Sequence, residues 1–487
     1  MPRVSNLRHL RALVSAGLAL LALAAPIAAR ADSVTGATWG VFFNCPDQTS
    51  AVSSIAEDEF LLRDRWIARI DALKKGDWAC LSTYTFSGPS LKVGAAGPML
   101  VAVSNALARG ASVGFVVDYG VNIASNFAAG CSLKSLSKRK TNPLRLSQSP
   151  KGGIMHDKMG VFWYASQKRA WVLSGSWNFT GGASSQQWNV LVELQNNALA
   201  TACSNELAQL LAGHFHADAA KSHAWDGATF TLESNRTGRV RFAPYPSGLY
   251  GGDNALRDIT NVIASAQSEI FFALNKLTRM DVANELVKAC NRGVIVHGVI
   301  PLSDCGHAGG DSWDIARFLS SPTNYATPNR VRLYTAFATA AHDSRDAFNR
   351  DLVHTKYMVV DPRGKNPWVV QGSPNWTAAA LVQTAANDEN LQFIPHAAIA
   401  RAFMDHFHRV CNGLAPWCEL VGDASSPSGL ALRFWTHETN RAVRVQSASS
   451  LAAPAWTTWT NLTAARSGTV PIPRTFGSPA FFRISQP

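Results

Sequence analysis

No two cysteines of this sequence stand in a C-x2-C or similarly clustered arrangement, which argues against a zinc site. Charge is scarce as well. Charged residues make up 16% of the chain against 47% hydrophobic, a balance that excludes a disordered chain and supplies a large core. Beyond the N-terminal segment no apolar run is long enough to cross a membrane. Dense basic runs are missing except for Ser137-Lys138-Arg139-Lys140, which reads as an exposed loop.

Acidic residues are absent from the first 31 positions. There Arg3, Arg8 and Arg11 precede an apolar run from Ala12 to Ala25, and Ala29-Arg30-Ala31 closes the segment with a small-x-small pattern. A basic start, a short apolar middle and an A-x-A end make residues 1–31 a cleavable secretory signal, so the expected location is secreted or periplasmic. Its removal takes away four arginines and lowers the formal charge from +12 to +8. A positive field of that size suits a phosphate-rich partner, either nucleic acid or an anionic membrane surface met peripherally. Eight cysteines in an exported chain predict disulfides, with Cys411 and Cys418 close enough for a local bridge.

At 487 residues the chain is long enough for two or three domains, and internal similarity divides it. Leu107-Ala108-Arg109-Gly110 followed by Val113-Gly114-Phe115-Val116-Val117 matches Ala289-Cys290-Asn291-Arg292-Gly293 followed by Ile295-Val296. Each reads as a helix, an Arg-Gly stop that permits a left-handed cap, and a buried strand. Upstream of each lies another helix-strand unit, Trp66–Leu73 then Trp78–Phe86, and Leu256–Ala266 then Glu269–Leu274. His214-Phe215-His216 and His406-Phe407-His408 are expected at matching places on closing helices. Residues two apart do not share a helix face, so these are not read as metal ligands.

The expected fold class is therefore α/β. Two pseudo-symmetric halves, 32–232 and 233–422, have mixed sheets flanked by helices, and a small β module over 430–487 follows a Gly/Ser/Pro linker.

Each half carries the same chemistry-bearing pattern. The first has His156-Asp157-Lys158 and Gly175-Ser176-Trp177-Asn178; the second has His354-Thr355-Lys356 and Gly372-Ser373-Pro374-Asn375. Histidine precedes asparagine by 22 residues in one and 21 in the other. In an extended segment His and Lys two apart share a face, placing a nucleophile or acid beside a fixed cation. The turn that follows offers a Ser hydroxyl and an Asn amide as donors to phosphate oxygens. Two such sets around one cavity let one His attack phosphorus and the other protonate the leaving oxygen.

These motifs resemble the paired H-x-K-x4-D and G-S-x-N signatures of the phospholipase D superfamily, over most of residues 50–410. The resemblance implies a covalent phosphohistidine, no metal or other cofactor, and His156, Lys158, Asn178, His354, Lys356 and Asn375 as catalytic residues. It implies Ser176 and Ser373 as phosphate-binding and Asp361 as the supporting aspartate of the second motif. It also implies Glu389 as the acid that orients His354. The first copy departs from the pattern: Trp163 replaces the motif aspartate, and Gln187, Trp188 and Asn189 stand where the orienting acid would be, leaving the Asn189 carbonyl to accept from His156. Family order favours His156 as nucleophile, with His354 the alternative. Three functions fit: a phospholipase D-like hydrolase of phospholipids, a secreted endonuclease acting on nucleic acid, and an inactive phosphate-binding module. One chain supplies both motifs, so an oligomer is not required.

Overall fold

The computed structural model describes residues 33–485 except 45–59, 91–93, 127–130, 186, 217, 219–226, 234–235, 245–253, 306–307, 327–330, 337–351, 383–386, 413–416, 423–429, 436–442, 449–456, 463–466 and 473–480. The expected signal segment and the linker lie outside the described residues.

The first half runs β1 (Ser33–Thr35), β2 (Trp39–Phe43), α1 (Leu61–Asp71), β3 (Trp78–Thr83), α2 (Ala96–Ala108), β4 (Ser112–Val117), β5 (Arg145–Gln148), β6 (Ile154–Met155), β7 (Met159–Tyr164), β8 (Arg169–Gly175), β9 (Gln187–Trp188), β10 (Val190–Gln195) and α3 (Asn197–Leu211). The second runs β11 (Ala228–Thr231), β12 (Thr237–Ala243), α4 (Ala255–Ser265), β13 (Glu269–Leu274), α5 (Met280–Asn291), β14 (Ile295–Pro301), β15 (Val331–Ala336), β16 (Leu352–Val353), β17 (Lys356–Val360), β18 (Trp368–Gly372), β19 (Asn387–Ile394) and α6 (Ala397–Asn412).

The repeat seen in the sequence is a repeat of topology. One sheet has the order β1-β2-β10-β8-β7-β3-β4-β5 and the other β11-β12-β19-β18-β17-β13-β14-β15. In each, the three strands nearest one edge are parallel and the rest antiparallel, the mixed sheet expected of alternating helices and strands. The Arg-Gly stops behave as read: Gly110 and Gly293 have φ of 89° and 105°, the left-handed region that caps α2 and α5 at little steric cost.

Helices cover both faces of the first sheet. Leu62, Trp66, Met99 and Val103 from α1 and α2 bury against one face, and Leu199, Cys203, Leu207 and Leu210 from α3 against the other. The α3 side is continuous with the core of the second half, so a single apolar layer glues the halves together. Burial of that continuous surface fixes their relative placement.

Beyond α6 come β20 (Trp417–Gly422), β21 (Leu430–Trp435), β22 (Val443–Ala448), β23 (Thr457–Leu462), β24 (Ser467–Pro471) and β25 (Phe481–Ser485). They form two three-stranded sheets over a small core of Leu432, Val445 and Ile472. Strand pairing crosses two of the sequence boundaries: β11 precedes residue 232 yet pairs with β12, and β20 ends at residue 422 yet pairs with β21.

Three expectations need correction. His406-Phe407-His408 lies inside α6, whereas His214-Phe215-His216 follows the end of α3, so the two are not equivalent. The equivalent of His406 in α3 is Glu206, because both helices begin one residue after matching caps. No disulfide joins the described residues, and Cys411 is a free thiol, so the bridge to Cys418 is not formed. Cys80, Cys203 and Cys411 instead fill the core as small apolar side chains.

Candidate active site

The site forms where the halves exchange short strands. β6, just before His156, pairs with Asn387 and Asp388 at the start of β19 in the other half. β16, just before His354, pairs with β9 in the first half. Both exchanges end alike: the His156 N–H donates to the Asp388 carbonyl at 2.9 Å, and the His354 N–H donates to the Trp188 carbonyl at 3.1 Å. Each histidine therefore sits beside the residue that follows those carbonyls, Glu389 for His156 and Asn189 for His354.

The orienting bonds are crossed between halves. His156 Nδ1 lies 2.8 Å from both Glu389 carboxylate oxygens. His354 Nδ1 lies 2.9 Å from Asn189 Oδ1. This corrects the sequence expectation, which paired Glu389 with His354 and Asn189 with His156. Adjacency within a copy is a poor guide here, because a strand from the opposite copy lies behind each histidine. Asn189 Nδ2 donates to the Ala183 carbonyl at 2.9 Å, which fixes the amide with its oxygen toward the imidazole. Both histidines thus present Nδ1–H to an acceptor and leave Nε2 with its lone pair.

The serines serve these acceptors rather than a phosphate. Ser373 Oγ donates to Glu389 at 2.6 Å and Ser176 Oγ to Asn189 Oδ1 at 2.8 Å. Each hydroxyl oxygen in turn accepts the next strand residue's N–H, Asn390 at 3.0 Å and Val190 at 3.1 Å. Both side chains are fully buried and their protons are committed, so Ser176 and Ser373 are corrected from phosphate-binding to positioning residues. The preceding glycine is a steric necessity. A Cβ on Gly175 would stand 2.0 Å from the Val190 carbonyl oxygen, and one on Gly372 would stand 2.1 Å from that of Asn390.

The structure brings Lys158, Lys356, Asn178 and Asn375 to the same centre. Lys158 Nζ donates to the His156 carbonyl and Lys356 Nζ to the His354 carbonyl, both at 2.7 Å. One of three ammonium donors is so used, leaving the others for an anion. Asn178 and Asn375 each keep a buried Oδ1 with no hydrogen-bond partner, an arrangement that calls for a ligand or water in the cavity.

Burial and like charge make the centre attractive to an anion. Burial lowers the Lys158 ammonium to about 8, against the opposing pull of Glu389, Asp157 and Asp118. Lys356 is pushed well below its ordinary range by burial and then by Lys158. His156 falls to about 4 through burial, with Glu389 resisting. His354 is held well below the usual imidazole range by burial, then by Lys356, Lys158 and His156. Burial pushes Glu389 up, but His156, Lys158 and the Ser373 bond together hold it below the ordinary carboxyl value.

Supporting residues differ between the halves. Asp361 at the end of β17 accepts the backbone N–H groups of Gln267, Ser268 and Glu269, tying that strand to the start of β13. Trp163 replaces it in the first copy, and the tie runs the other way: Asp77, just before β3, accepts the Ala165 N–H at 2.8 Å. Sequence reading missed Asp77; its signal is a carboxylate directly after a turn glycine and before a strand. It also missed Tyr84, whose ring lies 4.9 Å from the His156 ring and 5.3 Å from Lys158 Nζ. Tyr84 directly follows β3, at the carboxyl end of a parallel strand where α/β sites gather. Trp177, Phe179 and Trp376 are buried core.

No curated protein matches this chain. Among solved structures it is similar to polyphosphate kinase from Porphyromonas gingivalis, with 13% identity, 72% of this chain and 48% of that one covered, and a TM-score of 0.47. The chain thus spans about half the length of that kinase. It is similar to phosphatidylserine synthase of Haemophilus influenzae, at 11% identity over 71% of this chain and 83% of that one, with a TM-score of 0.49. Nuc, a phospholipase D family member from Salmonella typhimurium, matches 35% of this chain with 90% of its own at 24% identity and a TM-score of 0.25. The family described as "Cardiolipin synthase, PLD-like domain" matches residues 72–211 and 259–411, one stretch in each half and more than half of the chain together. The chain belongs to this phospholipase D-like family.

Proposed function

We propose that this chain is an exported phosphodiesterase that hydrolyses phospholipids through a phosphohistidine on His156, with His354 as general acid and then base. The crossed orienting bonds carry the assignment. Attack through Nε2 places positive charge on the imidazole, and a carboxylate at Nδ1 stabilises that charge where an amide oxygen does so less. Glu389 supports His156; only Asn189 supports His354. With His156 lowered to about 4, its Nε2 lone pair is free at neutral pH.

In the first step His156 Nε2 forms a bond to phosphorus while the ester bond to the leaving oxygen breaks, and His354 donates a proton to that oxygen. In the second, His354 takes a proton from water, the water oxygen bonds to phosphorus, and the P–N bond to His156 breaks. Lys158, Lys356, Asn178 and Asn375 hold the non-bridging oxygens throughout. His354 must be protonated for the first step although burial, and after it Lys356, Lys158 and His156, depress it. An arriving phosphodiester anion offsets the lysines' share of that depression, so substrate binding favours the protonated acid.

The lipid reading is supported by the family description, which names a lipid synthase, and by the surface beside the site. Residues 119–155 contain six basic and no acidic residues, and Lys134, Lys138, Lys140, Arg145 and Lys151 are exposed beside an exposed Tyr119. Cations with an amphipathic ring suit an anionic lipid layer. The test is turnover of phosphatidylcholine and phosphatidylglycerol vesicles beside plasmid DNA, with EDTA present and His156→Ala and His354→Ala as controls. Headgroup release lost in both variants is the expected result. Nicked plasmid with intact lipid makes the chain an endonuclease, and turnover of neither makes it a phosphate-binding module.

A further inference from the structure

The reverse face of the His156 segment carries a second inter-half bond that the chemistry above does not use. Consecutive residues of an extended chain point to opposite sides. His156 faces the cavity and Glu389; Asp157 faces away, where its Oδ1 accepts from Asn390 Nδ2 at 2.9 Å. Glu389 and Asn390 are likewise consecutive in β19 and point to opposite faces. The same two segments are therefore joined from the front, from the back, and between them by the His156 N–H to the Asp388 carbonyl. We propose that Asp157 is a positioning residue, and that its bond to Asn390 forms the rear jaw of a two-sided clamp holding His156 in register with Glu389.

Three observations support the clamp. The Asn390 amide is oriented for it, because Asn390 Oδ1 accepts from Ser174 Oγ and only Nδ2 is left to face Asp157. The clamp is confined to one histidine. Thr355 stands where the second copy would carry Asp157, and its hydroxyl donates instead to the Ala273 carbonyl of its own half at 3.2 Å. Val190, with no polar side chain, stands where the first copy would carry Asn390. The asymmetry matches that of the chemistry: the histidine with the carboxylate has the clamp. Asp157 is also a costly residue for its place. It is fully buried, and its Oδ2 has no hydrogen-bond partner. Burial, and after it Glu206, pushes its carboxyl well above the ordinary range, while an asparagine there would keep an oxygen to accept from Asn390 Nδ2. A buried polar group of this kind calls for a reason.

The inference rests on His156 being the nucleophile, and the test separates the two claims. Asp157→Ala, Asp157→Asn and Asp157→Thr are made in the whole protein. Histidine-labelled samples report the Nδ1–H resonance and titration of His156, which need no turnover. Bis(p-nitrophenyl) phosphate, a diester independent of the natural substrate, reports the nitrophenol burst of phosphoenzyme formation and the later steady rate. In Asp157→Ala the His156 Nδ1–H signal shifts or broadens and the burst slows roughly 10- to 100-fold, the scale of a small misplacement of a reacting group. The breakdown rate, set by His354 and water, stays as in the parent. Asp157→Asn restores both signal and burst, and Asp157→Thr, should the alanine variant not fold, behaves like alanine. An alanine or threonine variant with the parent's signal and burst overturns the clamp, as does an asparagine variant no better than alanine. A shifted His156 signal in Asp157→Ala together with phosphate trapped on His354 in the parent leaves the clamp standing and overturns the nucleophile assignment.

Discussion

Glu389 and His156 come from opposite halves of the chain, 233 residues apart, and meet with both carboxylate oxygens 2.8 Å from Nδ1. The bond makes each half incomplete alone. Glu389→Gln keeps an oxygen acceptor but removes the charge that stabilises a cationic phosphohistidine. Turnover is expected to fall by about 10²- to 10⁴-fold, in the range that positioned acid–base groups contribute. Acid-quenched gel analysis with labelled substrate should show the loss in phosphoenzyme formation. Unchanged formation with slowed breakdown would instead assign the nucleophile to His354.

How far the site could be read from sequence depends on which distances sequence encodes. The H-x-K and G-S-x-N sets were legible because spacing along one strand and turn fixes which side chains share a face. Gly175 and Gly372 were legible only as members of the G-S-x-N set; the neighbouring carbonyl that leaves no room for a Cβ belongs to the adjoining strand. The partner behind each imidazole was not legible. Glu389 is nearer His354 in sequence, yet β6 and β16 each pair with a strand of the other half before their histidine. The serines were misread because a hydroxyl after a strand end can turn to a phosphate or back to the adjoining strand, and only strand order decides. Asp77 shows the same gap: a missing aspartate at Trp163 looked like a loss, but the tie had moved to the other partner strand.

Burial depresses His354 most, and Lys356 and Lys158 depress it further; the lysine share predicts proton uptake on anion binding. Inorganic phosphate or tungstate bound at pH 7 neutralises Lys158 and Lys356, and His354 moves back toward its ordinary range. Calorimetry in buffers of different ionisation enthalpy should report proton uptake by the parent and less by His354→Gln, the remainder belonging to Lys356, which burial and then Lys158 also lower. Asn189→Asp adds a carboxylate behind His354 and should raise its titration, which histidine-labelled NMR reads directly.

Asp361 and Asp77 predict a stability effect separate from chemistry. Asp361 satisfies three backbone N–H groups and the Ser268 hydroxyl at a strand junction. Asp361→Ala leaves those donors without their acceptor and should cost about 1–3 kcal/mol, the usual penalty for a stranded buried donor. Asp77→Ala, which strands the Lys74 and Ala165 N–H groups, should cost a similar or smaller amount. Urea unfolding measures both. Activity per folded molecule should change little in either variant, because neither carboxylate touches the reacting groups.

The buried histidines set the direction of acid sensitivity. His406 lies fully buried in α6, with Nδ1 3.0 Å from the Tyr357 hydroxyl and its ring stacked 4.2 Å from Phe43, and burial lowers it to about 3. His156 is lowered to about 4, again mainly by burial. Between these values and the unfolded value of about 6.5, the unfolded chain binds more protons than the folded one. Stability contributed by keeping these rings neutral is therefore complete above about pH 6.5 and is lost as the pH falls toward 4 and then 3. The melting temperature followed by circular dichroism should decline across that window. His406→Gln, which cannot take up the proton but keeps a partner for Tyr357, should be less stable at pH 7 through lost stacking yet show a shallower decline below pH 6.5. A decline as steep as the parent's would mean that His406 is already protonated in the folded state, or that other groups dominate acid unfolding.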